Sequence, residues 1–341
     1  MSSIKLQGSG IERTLSHEEQ QTKINEVRQL LGPIADKLPN FCSNASILRY
    51  LKARNWNSKN ACKMLKESLK WRLEYKPEKI HWEDVACDAE TGKIYRSNYL
   101  DKYGRTVLVM RPGFQNTTST RRQIKYLVYC MENAIMNLAS DQEQMVWLID
   151  FQGWTMGCVS MKVTRETTRI LQDHYPERLG IAILHNPPKI FESFWTMVKP
   201  FLEPKTYKKA KFVYSHCPES QKIFEDLFDM DKLESAFGGR NTVGFDYKEY
   251  SEQMREDDRK MTDFINSGYS PPSVLSDFPQ SESSVSGCGS YEEVSCGDDR
   301  IDPAGSDDLT DEKIPGHLGC KDCANVLTEA QEKVMQMSES A

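Results

Sequence analysis

Four short apolar runs, RTVLVM (105–110), MVWLIDF (145–151), GIAILHN (180–186) and KFVYS (211–215), constrain the fold of this chain more than any other feature. Each is strand-length, and helix-length stretches lie between them at about 121–139, 160–174 and 189–202, with another at 219–230. A strand, a helix and then another strand is the pattern of a crossover connection, which makes neighbouring strands parallel. The runs are apolar throughout instead of alternating with polar residues, so both faces of the strands are expected to be covered. The predicted fold class is α/β, a mainly parallel sheet flanked by helices.

Upstream, the apolar period is helical. Val27, Leu30, Leu31 and Ile34 recur at that spacing, and Gly32-Pro33 breaks the segment. In SNASILRYLKARNW (43–56), Asn44 is the expected cap and Ile47, Leu48, Tyr50 and Leu51 the buried face. Ala61, Leu65 and Leu69 then repeat every four residues, with Trp71 and Leu73 behind them. A helical lobe is predicted over 19–90 and the α/β domain over 91–245. Residues 1–18 are expected to be disordered, and 246–341 to form an acidic, mostly disordered tail. SGYSPPS, SESSVSGCGS and DDRIDPAGSDD are too polar to offset their ordering entropy by burial. A short helix near 325–337 is the one element expected there.

The net charge of −6 is unevenly divided: residues 272–341 hold 15 acids and 4 bases, leaving 35 acids and 40 bases before them. A mildly basic body suits an anionic surface or ligand. It has no long Lys/Arg run, no zinc-finger spacing and no RNP-like aromatic pattern, so nucleic acid is not an expected partner. The N-terminal MSSIKLQGSG lacks the apolar core of a secretory signal, and no run reaches the ~20 apolar residues of a membrane span. Of the ten cysteines, Cys42, Cys62, Cys130 and Cys158 sit within apolar patterns, as reduced cytosolic thiols do. A cytoplasmic monomer, peripheral at membranes, is expected.

Catalysis finds little support. GxSxG, GxGxxG, the P-loop pattern and HExxH are absent. Asp150 and His185 end apolar strands, where α/β folds often place functional groups, but no activated nucleophile accompanies them. Asp150 reads first as a carboxylate accepting from loop N–H groups. Cys320 and Cys323 form CxxC near His317, with Cys288 and Cys296 loosely spaced upstream in a polar context. That suits solvated thiols better than structural zinc, so neither a metal nor a cofactor is expected.

The apolar stretch IFESFWTMVKP (190–200) runs directly into FLEPKTYKK (201–209). Phe191, Phe194, Trp195 and Val198 form one stripe, and Phe201 and Leu202 extend it past Pro200. Periodicity alone describes a helix packed on a sheet. Ile190 and Met197 widen the apolar surface beyond that need, and Lys205, Lys208, Lys209 and Lys211 follow at one end. An oily wall ending in positive charge fits an amphiphile with an anionic head.

Several motifs in order carry a resemblance: LRYLKARNW (48–56), Trp71-Arg72, DKYGR (101–105), LIDFQG (148–153), YPERLG (175–180), FLEPKTYKK and FGG (237–239). They resemble the CRAL-TRIO lipid-binding family, in particular the yeast secretory phosphatidylinositol transfer protein and its plant relatives, over about residues 20–245. The resemblance implies a sheet forming the floor of an apolar lipid cavity, gated by 189–205. It implies phosphatidylinositol as ligand, with Arg54, Glu177, Thr206 and Lys209 at the headgroup. Phe191, Phe194, Trp195, Val198 and Phe201 would serve gate and acyl chains, and Gly238 and Gly239 a hinge. The ordinary alternative for those glycines is a turn or a helix cap. The residue types suit the ligand: a carboxylate accepts from vicinal hydroxyls, and Arg or Lys offsets the phosphodiester charge.

The yeast protein also carries phosphatidylcholine, using polar side chains where this chain has Ser97, Leu108, Met145, Trp147 and Leu171. Met145 and Trp147 share a strand face and are expected to fill a choline pocket. The expected function is therefore phosphatidylinositol binding and transfer at a transiently contacted membrane surface, without catalysis. A carrier of a tocopherol, retinoid or sterol, or a lipid-filled interaction scaffold, are the alternatives.

Overall fold

The computed structural model describes residues 15–139 and 141–267. In chain order its main elements are α1 (His17–Leu31), α2 (Ile34–Lys37), α3 (Asn44–Ala53), α4 (Ser58–Tyr75), α5 (Ala86–Ala89), β1 (Ile94–Leu100), β2 (Thr106–Met110), α6 (Thr120–Met136), β3 (Met145–Asp150), α7 (Met161–His174), β4 (Leu179–His185), α8 (Ile190–Val198), α9 (Pro204–Lys208), β5 (Ala210–Val213), α10 (Pro218–Leu227) and α11 (Tyr247–Ser267). The helix expected near 325–337 and the cysteines at 288, 296, 320 and 323 lie outside the described residues.

The lobe starts earlier than residue 19. Ser16 Oγ accepts from the Glu19 amide at 3.2 Å, and the Glu19 carboxylate accepts from the Ser16 amide at 2.7 Å. This reciprocal cap satisfies two N–H groups that the helix itself leaves open. Gly32, at φ 64°, ends α1 where Gly32-Pro33 predicts. Ser43, not Asn44, caps α3, its Oγ accepting from the Ser46 amide at 3.2 Å. The apolar stripes of α1, α3 and α4 meet in one cluster around Val27, Ile47, Leu51 and Leu65.

The sheet has the order β1-β2-β3-β4-β5. β2 to β5 are parallel, as the apolar runs predict, while β1 adds an antiparallel edge. The runs are continuous because two cores use them. Val146, Leu148, Ile183 and Val213 enter the cluster built around α6, and Ile149, Ala182, Leu184 and Phe212 enter the one beneath α8. Strand β1 escapes the apolar-run reading because it alternates: Tyr95, Ser97 and Tyr99 are buried between more exposed neighbours.

Helix α11 corrects the domain reading. The folded chain continues past 245 through residue 267, so 246–267 is not tail. Tyr250 and Met254 are buried, and Tyr250 packs edge-on against Trp82 at 5.7 Å. The helix is otherwise anchored by acids. Asp257 takes 2.6 Å and 2.9 Å bonds from Arg96 and Asn133, and Asp258 accepts from Tyr129 at 3.0 Å. Burial alone would raise the Asp257 carboxyl, but the bonds from Asn133 and Lys260 and the Arg96 charge hold it below its ordinary value.

A buried ion pair fastens the lobe to the sheet domain. Arg72 of α4 reaches Glu132 of α6 with two bonds, 2.8 and 3.3 Å, and Tyr175 donates to the same carboxylate at 2.6 Å. Glu78 lies farther, at 3.6 Å. Removing one side of such a pair strands a buried charge, at about 3–5 kcal/mol. Glu132→Gln is expected to lower stability by that amount in urea unfolding, and an unchanged midpoint would show the fastening to be dispensable.

Candidate functional site

One small cavity, about 60 Å³, collects residues from distant parts of the fold: Trp147 of β3, Leu171 of α7, Glu177 in the turn before β4, Leu179 of β4, Thr206 of α9 and Lys209 before β5. The turn from α7 into β4 aims Glu177. This residue sits at φ 57°, a left-handed conformation that non-glycine residues adopt at some cost. Its carboxylate lies 3.3 Å from Lys209 Nζ, which also donates to the Leu179 carbonyl at 2.8 Å. The Lys209 carbonyl in turn accepts from the Ala182 amide at 2.9 Å, so β4 holds the lysine by backbone and side chain.

Three of the four expected headgroup residues, Glu177, Thr206 and Lys209, thus share this pocket. Arg54 reaches only its rim. Its guanidinium donates at 2.9 Å to Glu203, which itself lines the cavity. Sequence reading missed Glu203, although it lies within the FLEPK motif. It also missed Gln172, which no motif contains. The Gln172 side chain donates to the Phe201 carbonyl at 2.9 Å and accepts from the Glu203 amide at 2.6 Å, tying the segment after α8 to α7.

Helix α8 turns Phe191, Phe194 and Val198 onto the sheet, where they are about 5–6% exposed and join Phe151, Trp154 and Leu184. Phe191 meets Phe151 at 4.4 Å and Trp154 at 5.5 Å, so aromatic rings occupy the space between helix and sheet. Trp195 is only partly buried and stacks on Tyr207 at 5.8 Å. Phe201 does not join that cluster and lies under Arg165 at 4.9 Å. On the outer surface Ile190 and Met197 are 57% and 46% exposed. The unusual apolar width of the segment is therefore a two-sided helix.

Gly238 and Gly239 stand in a tight turn. Gly238 has φ 87°, and a Cβ on Gly239 would meet the Leu233 carbonyl oxygen at 1.9 Å. Left-handed backbone and close approach account for both glycines locally. Of the five positions read for choline selectivity, Trp147 and Leu171 line the cavity, Leu108 and Met145 are fully buried, and Ser97 bonds the Tyr99 carbonyl within its own strand at 2.7 Å. Trp147 is not purely apolar filling: its Nε1 is buried and has no hydrogen-bond partner among the described residues.

Asp150 and His185 are register partners on β3 and β4. Asp150 accepts from the Gln152 amide at 3.0 Å, the turn-starting role expected of it. His185 packs edge-on against Phe224 and Phe237 at 5.5 and 5.4 Å. Burial lowers its pKa while Asp150 opposes that, which leaves a neutral ring in an aromatic cage.

Comparison with known proteins agrees with the fold. The model of the CRAL/TRIO domain matches residues 89–239, and that of the CRAL/TRIO N-terminal domain matches 23–67. Phosphatidylinositol transfer protein PDR17 of Saccharomyces cerevisiae is 33% identical over 229 residues, covering 63% of this chain and 62% of that protein. The chain therefore spans less than two thirds of that relative. SEC14 cytosolic factor of Kluyveromyces lactis is 27% identical over 252 residues, 66% of this chain and 79% of that protein. Among solved structures, that of Sfh5 superposes with a TM-score of 0.58 at 14% identity, over 75% of this chain and all of the other, a likeness of fold. With both of its domains matched in order and its fold shared, the chain belongs to the CRAL-TRIO family.

Proposed function

We propose that this protein binds phosphatidylinositol and exchanges it between membranes, as a carrier and not a catalyst. The observation that carries the reading is the meeting of Glu177, Lys209 and Thr206 in one cavity whose lining also includes the apolar Trp147, Leu171 and Leu179. The carboxylate accepts from inositol hydroxyls, the ammonium offsets the phosphodiester, and the threonine adds a neutral hydroxyl. Arg54 supplies a second cation once it leaves Glu203. PDR17 is named as a phosphatidylinositol transfer protein, which supports the same ligand here.

The acyl chains belong under α8. Each buried CH₂ is worth roughly 0.8 kcal/mol, so two long chains represent over 20 kcal/mol in transfer from water. Loading therefore needs α8 to swing outward while the protein touches a bilayer, which shelters both lipid and aromatic rings. Ile190 and Met197, already exposed on the outer surface of α8, are the first to enter the membrane. On this reading the membrane contact is peripheral and transient.

Selectivity follows from the same cavity. A choline phosphate placed against Leu171 and Trp147 would lose hydroxyl partners, at about 1–3 kcal/mol for each unsatisfied group. Paired vesicle assays with labelled lipids are expected to give phosphatidylinositol transfer with phosphatidylcholine transfer at least about tenfold slower. Glu177→Ala with Lys209→Ala is expected to abolish the former while leaving the fold intact. Equal transfer of both lipids would sink the selectivity, and normal phosphatidylinositol transfer by the double variant would remove the headgroup assignment.

A further inference from the structure

A second cavity of about 60 Å³ lies between the helical lobe and the sheet domain, and it meets the headgroup cavity at Tyr175, Pro176 and Arg178. Among its lining residues the arginines outnumber the carboxylates. Arg49, Arg72 and Arg178 line it with Glu132 as the one carboxylate among its described lining residues. Glu132 is already engaged by Arg72 at 2.8 Å and by Tyr175 at 2.6 Å. Arg49 pairs at 2.8 Å with Glu143, outside the lining. Arg178 has no ion-pair partner among the described residues, and its guanidinium donates only to the Glu143 carbonyl, at 3.0 Å. Burial, and after it the nearby Arg49 charge, pull the Arg178 pKa down to about 10 against the opposing charges of Glu143 and Glu132.

Neutral donors surround the same space. The Tyr50 hydroxyl makes a stretched 3.5 Å bond to the His174 carbonyl, and Ser68 Oγ lies 3.2 Å from His174 Nδ1. Burial and the Arg169 and Arg72 charges lower the His174 pKa to about 4, so the ring is neutral at physiological pH. The volume admits about four or five water-sized spheres, which is the size of a phosphate group. A partly buried arginine in a donor-lined cavity is stabilised by an anion that takes several charge-assisted bonds at once.

We propose that this junction cavity is a phosphate-binding site, with Arg178 and Arg49 as its cationic ligands and Tyr50 and Ser68 as hydroxyl donors. The dianion comes either from inorganic phosphate or from a phosphomonoester on the inositol ring of a lipid seated next door. The site stands apart from the lipid reading, because its first test contains no lipid.

In that test, inorganic phosphate is titrated into the full chain against chloride of equal ionic strength, following Tm and phosphorus NMR line width. Tm is expected to climb with phosphate concentration, as it does for a ligand of the folded state. Arg178→Gln is expected to weaken binding at least about tenfold. Tyr50→Phe, which removes a single hydroxyl, guards against misfolding of the first variant and is expected to weaken binding about fivefold. In the second arm, the chain is loaded from vesicles holding phosphatidylinositol with and without a ring phosphomonoester, and the bound lipid is identified by mass spectrometry. Phosphate binding sensitive to these substitutions assigns the free anion. Retention of the phosphorylated lipid that either substitution abolishes assigns the headgroup. No response in either arm, or one that both variants keep, overturns the site.

Discussion

Ending the chain after Asp246 is expected to give an unfolded or insoluble product, whereas ending it after Tyr269 leaves stability and lipid loading unchanged. The short version loses α11, and with it the buried Tyr250 and Met254, each worth about 1.5–3 kcal/mol of apolar burial. It also removes Asp257, on which Arg96, Asn133 and Asn137 converge. Leaving the Arg96 charge unpaired adds about 3–5 kcal/mol. Together these losses match the roughly 5–15 kcal/mol by which a domain is stable at all. Soluble yield and urea midpoints of the two truncations decide it; equal midpoints would show that α11 is an ornament on a fold complete at 245.

The second large effect separates the two sides of α8. Phe194→Asp is expected to cost several kcal/mol of stability, because residue 194 is 6% exposed and its ring packs on Trp154 at 6.0 Å. Ile190→Asp with Met197→Asp replaces exposed side chains, and surface changes of that kind stay within about 0.5 kcal/mol. The same pair places two negative charges on the surface proposed to enter an anionic bilayer, where each charge is worth about 1 kcal/mol. Vesicle transfer by that double variant is expected to fall at least about tenfold at unchanged Tm. Transfer at the wild-type rate would move the membrane contact away from α8.

These expectations assign the two sides of one helix to different tasks, and the sequence had supplied only the stripe. Phe191, Phe194 and Val198 at helical spacing identify a buried face, but a helix with an apolar outer surface reads from sequence as a wide stripe. Which apolar residues are inside depends on where α8 sits over Leu184 and Phe212, a tertiary fact. The residues proposed for the headgroup divide in the same way. Glu177, Thr206 and Lys209 stand in recognisable motifs and do meet. Arg54 stands in one too, yet its nearest charged partner is Glu203, set by how the lobe docks.

The parallel strands β2 to β5 and the helices between them were legible because apolar period and run length are local properties of a chain. So were the lobe helices, whose stripes close on one another. Strand β1 and helix α11 were not legible in that way. Each buries a narrow apolar face and relies on polar groups, the Tyr95 hydroxyl and Asp257 among them, whose burial is tolerable only because distant segments supply the partners. A lone aspartate on a charged helix reads as solvated until Arg96 and Asn133 arrive from β1 and α6. The sequence by itself determined strands β2 to β5, the helices between them, the lobe helices and the motifs they carry, since those follow from neighbours a few residues apart. Only the tertiary structure decided that the fold continues through α11, which side of α8 is open, and that three arginines share one cavity at the junction, because charge balance is a sum over residues as far apart in the chain as Arg49 and Arg178.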